Sequence, residues 1–305
     1  MNILTIQNLS KSFGSQKVID NLSSAVPEGS VFGFIGQNGA GKTTTMKMVL
    51  GLLKADSGEM VVCGKKVTFG QTKTNDYIGY LPDVPEFYGY MRPKEYLRLC
   101  GEITEMADTA IKSRSDELLS IVGLDGVNKK ISGFSRGMKQ RLGFAQALLN
   151  EPKLLICDEP TSALDPVGRR EILDILRRVK GKTTVIFSTH ILSDVERICD
   201  RIAVLDKGKL ALTGTLSELK SRHKADGLMI EFASNADKER FTALPQIVPL
   251  MMGAEQNGIS VTLHAADVTG VETAVLNALA GNRINPVKLE VAEPTIENLF
   301  MEVVQ

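Results

Sequence analysis

The stretch G-Q-N-G-A-G-K-T-T, residues 36–44, has the residue types that hold a polyphosphate, at the spacing G-x-x-x-x-G-K-[ST] set by Gly36, Gly41, Lys42 and Thr43. Glycines let successive backbone N–H groups wrap phosphate oxygens, and a helix starting there adds partial positive charge. Lys42 would reach the β and γ phosphates, and the Thr43 hydroxyl would hold Mg²⁺. A second stretch, K-L-L-I-C-D-E-P-T-S-A-L-D-P at 153–166, puts two carboxylates side by side. Asp158 would hold Mg²⁺ through water, while Glu159 would polarise an attacking water as general base. A third, T-T-V-I-F-S-T-H at 183–190, ends in His190, one of three histidines in the chain, placed to contact a γ-phosphate.

Each group needs an element to carry it. V-F-G-F-I before the glycine loop reads as a buried strand, and T-T-M-K-M-V-L-G-L-L after it as a helix. The four apolar residues before Asp158 predict a short, fully buried parallel strand. It delivers its carboxylates at the C-terminal end, where open α/β sheets bind ligands. The run ending in His190 predicts another such strand. Between loop and carboxylates, I-S-G-F-S-R-G-M-K-Q-R-L-G-F-A-Q-A-L-L, residues 131–149, sets Ser135 and Gly137 before an amphipathic helix with Leu142, Ala145 and Leu149 on one side. Ser135 reads as its N-cap.

The totals narrow the setting. A chain of 305 residues, 43% hydrophobic and 24% charged, suits one large or two modest globular domains. Lys plus Arg equals Asp plus Glu at 36 each, so no basic excess points to nucleic acid. No run reaches the ~18 apolar residues of a membrane span. M-N-I-L-T-I-Q-N-L-S lacks the basic flank and apolar core of a signal peptide. Cys63, Cys100, Cys157 and Cys199 are widely spaced and read as reduced, buried thiols.

Taken in order, these motifs resemble the ATP-binding cassette family over residues 2 to about 220. The resemblance implies that Phe13, in K-S-F-G, stacks on adenine. Gly36, Gln37, Asn38, Gly39, Ala40, Gly41, Lys42, Thr43 and Thr44 match its Walker A loop. Asp158 and Glu159 match Walker B and the catalytic glutamate, and His190 the switch histidine. S-A-L-D, ending in Asp165, matches the D-loop. F-S-R-G-M, residues 134–138, matches the signature usually written L-S-G-G-Q, with Arg136 and Met138 as departures and Ser135 and Gly137 retained. In the family this signature contacts ATP held by another subunit, so two chains would sandwich two nucleotides about a two-fold axis. The family's Gln or Glu after L-P is Asp83 here, one methylene shorter, which leaves direct metal contact or a bridging water open.

All five tyrosines lie between residues 77 and 96, three of them in Y-L-P-D-V-P-E-F-Y-G-Y-M-R-P. By the resemblance this stretch enters a helical subdomain, 84–150, whose surface receives a membrane subunit. Val84, Phe87, Tyr88, Tyr90 and Met91 would supply an aromatic docking patch, and Pro93 would start the first helix. After a polar linker at 221–227 the rhythm changes. L-M-I-E-F-A, I-V-P-L-M-M, I-S-V-T-L-H and P-V-K-L-E-V-A read as strands. N-A-D-K-E-R-F-T-A-L and V-E-T-A-V-L-N-A-L-A read as helices, the second opened by T-G-V-E as a capping box. Ile296, Leu299 and Val303 would share one face of a last helix. This β-α-β-β-α-β order predicts a small ferredoxin-like α+β domain over 228–305, following a P-loop α/β nucleotide-binding domain over 1–220. The ending P-T-I-E-N-L-F resembles that of the accessory domain of bacterial multidrug, antibiotic or sodium exporters.

The resulting expectation is an Mg²⁺-dependent ATPase subunit with Glu159, His190 and Lys42 as catalytic residues. ATP would be bound by the loop with Phe13, Ser135, Gly137 and Asp165, and metal by Thr43, Asp158 and Asp83. It would pair with itself or a related subunit, serve a separate membrane permease, and sit peripherally on the cytoplasmic side of the membrane. The competing class is a soluble cassette ATPase acting on ribosomes or nucleic acid. One phosphate loop, no heptad arms and no basic stretch argue against it.

Overall fold

The structure is a computed structural model and describes residues 1–71, 73–222, 227–265, 267–292 and 296–303. The described chain divides into two compact units, Met1–Leu216 and Ser217–Val303.

The first unit opens with β1 (Asn2–Phe13), β2 (Gln16–Pro27) and β3 (Val31–Ile35), then α1 (Lys42–Val49), β4 (Ser57–Val62), β5 (Lys65–Lys66) and β6 (Ile78–Leu81). Three helices follow, α2 (Pro93–Ile103), α3 (Asp108–Ile121) and α4 (Arg136–Ala147). The rest alternates: β7 (Leu154–Asp158), α5 (Pro166–Val179), β8 (Thr184–Thr189), α6 (Leu192–Ile198), β9 (Arg201–Asp206) and β10 (Lys209–Thr215). Helix α7 (Leu216–Arg222) begins at the boundary between the units. Among the described residues the strands form an antiparallel sheet ordered β2-β1-β4-β5 and a second sheet ordered β10-β9-β3-β8-β7-β6, parallel except for β10.

Strands β3, β7 and β8 are buried at every residue, as their unbroken apolar runs require when both faces are covered. Leu4, Ile6 and Val62 from the antiparallel sheet, Met46 and Val49 from α1, and Phe32, Ile156 and Ile186 from the parallel sheet share one core. Helix α1 stops at Val49, four residues before the end of the predicted run at Leu53, because Gly51 turns the chain with φ 69°. Pro93 does start α2. Helix α4 seats against β6 at two glycines: a Cβ on Gly143 would lie 2.6 Å from Leu81 Cδ1, and one on Gly79 2.1 Å from the Ala147 carbonyl oxygen.

Register decides what meets at the sheet's C-terminal edge. Ile35 lies opposite Thr189, Asp158 opposite Ser188, and Leu81 opposite Cys157. The residues leaving β3, β7, β8 and β6 therefore emerge side by side: the glycine loop, Glu159, His190 and the segment carrying Asp83.

The second unit contains β11 (Gly227–Phe232), α8 (Asn235–Thr242), β12 (Glu255–Asn257), β13 (Ser260–His264), α9 (Val268–Gly281), β14 (Pro286–Ala292) and α10 (Ile296–Val303). Its sheet runs β12-β13-β11-β14 with antiparallel neighbours throughout. Leu228, Ile230 and Phe232 pack with Phe241 of α8, Val275 and Leu279 of α9, and Ile247. Ile296 and Leu299 are buried and Val303 is half-buried, as their shared helical face requires.

Three details differ from the sequence reading. I-V-P-L-M-M is not a strand: Val248–Met251 is a single 3-10 turn, which Pro249 favours by lacking an N–H. The second strand is instead the polar trio Glu255–Asn257, which has no apolar periodicity to reveal it. The cap of α9 is Asp267, whose carboxylate accepts from Gly270 N–H at 3.1 Å, so Thr269 lies inside the helix. Of the stretch 221–227, residues 221–222 end α7 and Gly227 opens β11, while 223–226 lie outside the described residues. The P-T of the closing motif also lies outside them.

Candidate active site

The glycine loop is fixed by close approaches. A Cβ on Gly36 would lie 2.6 Å from the Leu205 carbonyl oxygen, and one on Gly41 2.4 Å from Ile19 Cδ1. Gly39 and Gly41 also hold φ of 86° and 105°, backbone that other residues rarely adopt. Gln37, Asn38 and Gly39 are exposed and Ala40 is buried. The first intrahelical bond of α1 runs from Thr45 N–H to the Gly41 carbonyl, so the amides of Lys42, Thr43 and Thr44 are free of the helix ladder. Such amides, with the helix dipole behind them, make an anion cradle.

Lys42 is only 6% exposed. Its ammonium donates to the Gly36 carbonyl at 2.7 Å and to that of Gln37 at 3.3 Å. It lies 3.1 Å from Glu159 Oε1, an ion pair by distance but without the alignment of a hydrogen bond. The other oxygen of Glu159, Oε2, is 2.8 Å from His190 Nδ1. Glu159 is thus held between a buried cation and a half-exposed imidazole. It also carries φ 48°, a left-handed conformation that costs a non-glycine residue of order 1 kcal/mol and is concentrated at functional sites.

Asp158 is buried and doubly bonded. The Thr43 hydroxyl donates to Oδ2 at 2.7 Å, and the Ser188 hydroxyl to Oδ1 at 2.6 Å. Ser188 further accepts the Glu159 N–H, at 3.2 Å on its hydroxyl and 3.1 Å on its carbonyl. Beside them, burial pushes the Tyr80 phenol up to about 12, reinforced by the negative charges of Asp158 and Asp83. Burial likewise raises the Cys157 thiol well above its ordinary range, which marks it as an inert packing group.

The structure brings together Lys42, Thr43, Asp158, Glu159 and His190. Asp83 joins at one remove: its Oδ1 accepts the Ser162 hydroxyl at 2.5 Å and lies 3.5 Å from the Arg136 guanidinium. It thereby ties the segment after β6 to S-A-L-D and to the start of α4. Ser135 caps α4 by accepting from Met138 N–H at 3.2 Å. Gly137 does not precede that helix but sits in its first turn, where a Cβ would meet nothing within 4 Å. Asp165 caps α5, accepting from Gly168 N–H at 2.8 Å. Phe13 ends β1 opposite Gln16, half exposed, with the Lys11 ammonium 5.4 Å from its ring centre. From that hairpin β2 runs on to the phosphate loop, where Ile19 crowds Gly41.

Sequence reasoning missed four supporting residues. Ser188 is a hydroxyl on a fully buried strand, two residues before His190, and a polar group in such a place must have a partner. Ser162 gave no signal of its own. Arg169 and Asp194 form a 2.8 Å ion pair that locks α5 to α6, the helices following S-A-L-D and His190.

In the tyrosine-rich stretch, Val84, Tyr88 and Tyr90 are exposed, with the two tyrosine rings 5.9 Å apart. Phe87 packs edge-on against buried Tyr96 at 5.0 Å and Met91 is half-buried, so these two also serve the helical packing.

The donor set also bears on a metal. Thr43 and Asp158 present a hydroxyl and a carboxylate already in contact, both hard oxygen donors. Among the described residues no group of three or more His, Cys, Asp or Glu forms a cation cage. Few protein oxygens beside a phosphate cradle are what Mg²⁺ takes, since it keeps most of its waters and shares phosphates.

Comparison with known proteins agrees with this geometry. The family described as ABC transporter matches residues 19–162, and the one described as ATP-binding protein DrrA1-3-like, C-terminal domain, matches 214–304. The chain is 36% identical over 307 residues to the uncharacterized ABC transporter ATP-binding protein YhcH of Bacillus subtilis, covering 98% of this chain and 95% of that one. It is 34% identical to the bacitracin transport ATP-binding protein BcrA of Bacillus licheniformis, covering 99% and 97%. It is 32% identical to the linearmycin resistance ATP-binding protein LnrL of Bacillus subtilis, covering 98% and 98%. A solved structure titled as the ATP binding subunit of an ABC transporter superposes with a TM-score of 0.66 at 31% identity, covering 72% of this chain and 92% of that one.

Proposed function

The chain belongs to the ABC transporter ATP-binding proteins, and from that premise we propose that it powers export through a permease carried on a separate chain, two cassettes closing around ATP and parting on hydrolysis. It is the ATP-binding, ATP-hydrolysing subunit of a transporter complex. The observation that carries the proposal is the carboxylate of Glu159 held between Lys42 and His190 at the end of a parallel sheet.

Each residue's role follows from its surroundings. The amides of Gly36 to Thr44 receive the phosphates. Lys42 exchanges the Gly36 carbonyl and Glu159 for β and γ phosphate oxygens, which frees Glu159 to accept a proton from the attacking water. His190, left with its Nδ1 bond to Glu159, orients that carboxylate and faces the γ-phosphate. Thr43 and Asp158 would hold Mg²⁺, which when bound neutralises charge on the phosphates. Asp83, with one oxygen committed to Ser162 and Arg136, would meet the metal only through water. Its bonds fit a sensor that reports the site's state to the docking surface.

Phe13 is half exposed at a hairpin tip and fits adenine stacking. The open space at Gly137, in the first turn of α4, fits close approach of a phosphate from a second cassette, with Ser135 beside it and Asp165 lining the same interface. Val84, Tyr88 and Tyr90 supply the exposed aromatic surface for the permease, with the chain peripheral on the cytoplasmic face of the membrane. In the second unit, the strand order β12-β13-β11-β14 with antiparallel neighbours, alternating with α8 and α9, supports a ferredoxin-like topology. The names of BcrA and LnrL support an antibiotic-like substrate class.

The test is affinity purification of the tagged chain from detergent-solubilised membranes of its host with Mg²⁺ and ATP. The expected result is one stoichiometric integral membrane protein. Recovery only from the soluble fraction with ribosomal or nucleic-acid components would refute the transporter role.

A further inference from the structure

The second unit's sheet has two unlike edges. Strand β12 is three residues long, polar and exposed throughout, the form in which an edge discourages pairing. Strand β14 spans seven residues, Pro286–Ala292, and bonds to β11 on one side; among the described residues no strand pairs with its other side. Val287, Leu289 and Val291 alternate with Lys288 and Glu290 along it. Leu289 lies opposite Ile230 and packs on the helix-covered core, Val291 lies opposite Leu228 on the same face, and a register irregularity falls at Val287, between the Phe232–Pro286 and Glu231–Lys288 pairs. Yet Val287 and Val291 remain 64% and 41% exposed. Lys288 and Glu290 lie on the opposite face, 2.7 Å apart.

We propose that β14 pairs antiparallel with β14 of a second copy of this chain, centred on Leu289, joining two four-stranded sheets into one. The pattern is self-complementary in that register. Lys288 faces the second copy's Glu290 and Glu290 its Lys288, giving two opposite-charge pairs. Val287 faces the second copy's Val291 and Leu289 its Leu289, giving a continuous apolar stripe over both cores. A two-fold pair must keep each face of the sheet on its own side, so the neighbouring registers are shifted by two. These would set Lys288 against Lys288 or Glu290 against Glu290. Like charges directly opposite are destabilising, so the sequence selects one register.

Sedimentation velocity of the full chain without nucleotide, over a concentration series, tests this with charge reversals at exposed positions. Lys288→Glu alone, or Glu290→Lys alone, sets like charges across both pairs and weakens self-association about tenfold. An equimolar mixture of the two variants restores it. One strand then carries acid at both positions and the other carries base at both, so each cross-strand pair regains opposite charges while each strand's internal pair stays broken. Leu289→Cys gives a disulfide-linked dimer on mild oxidation, and the parent chain does not. A parent chain that stays monomeric, reversals without effect, or a mixture as weak as its components would each overturn the proposal. So would a Leu289→Cys cross-link to a membrane protein or to the chain's own first unit.

Discussion

The two units treat buried charge in opposite ways. Among the described residues every buried charged side chain, Lys42, Asp158 and Asp194, lies in the first unit, as do the buried hydroxyls of Thr161, Ser188 and Thr189. The core of the second unit is wholly apolar, and its charges lie on the outside. A buried charge is costly unless partnered. The first unit meets that requirement with the Thr43 and Ser188 hydroxyls on Asp158, the loop carbonyls and Glu159 beside Lys42, and Arg169 on Asp194. Among the described residues the second has nothing of the kind, and what it offers is surface and edge. Partnered buried charge belongs to the first unit, and an apolar core with charge on its surface to the second.

That contrast is open to attack, beginning where the effect is largest. Lys42→Ala removes the cation that Gly36, Gln37 and Glu159 now share. ATP turnover should fall by about two to three orders of magnitude, and equilibrium dialysis with radiolabelled ATP should show lost binding. Arg169→Ala leaves Asp194 buried without its cation, so chemical denaturation should show about 3 kcal/mol lost. No exposed charge of the second unit should match that; Lys288→Glu should cost under about 1 kcal/mol. Ser188→Ala strips one hydroxyl from Asp158, at about 1–3 kcal/mol of stability. It should also weaken nucleotide binding with Mg²⁺ more than binding without it. Tyr88→Ser with Tyr90→Ser spares the packing residues Phe87 and Tyr96. ATPase activity of the isolated chain should stay within about twofold of the parent, while co-purification of the permease is lost.

The smallest effect is spectroscopic. Tyr80 holds its proton to about 12 in the folded chain, against the ordinary 10. Its contribution to stability is therefore complete below pH 10 and lost as pH rises from 10 to about 12. Titration at 295 nm should show a phenolate step near pH 12 that Tyr80→Phe removes, leaving the later step of Tyr96, whose phenol burial also raises.

Legibility in the sequence followed the same divide. The glycine loop, the apolar runs before Asp158 and His190, and Pro93 at the start of α2 were readable because each rests on a local rule: a loop geometry, a fully buried strand, a helix cap. Ser188 and Ser162 were not, since their roles depend on register across strands and on a contact between residues 79 positions apart. In the second unit, β11, β13 and β14 carry clear alternation and were found. Strand β12 is three polar residues that pair only because β13 is beside them, and Pro249 sits in an apolar run that mimics a strand.

The most direct test of the chemistry is the fate of ATP on Glu159→Gln. The variant is incubated with Mg²⁺ and ATP, passed through gel filtration, and its bound nucleotide identified. Glutamine keeps the size of the side chain but cannot take the proton from water, so uncleaved ATP should remain on the protein and turnover should fall by at least about a hundredfold. ADP produced at the parent rate would contradict the assignment of Glu159 and the reading of the site built around it.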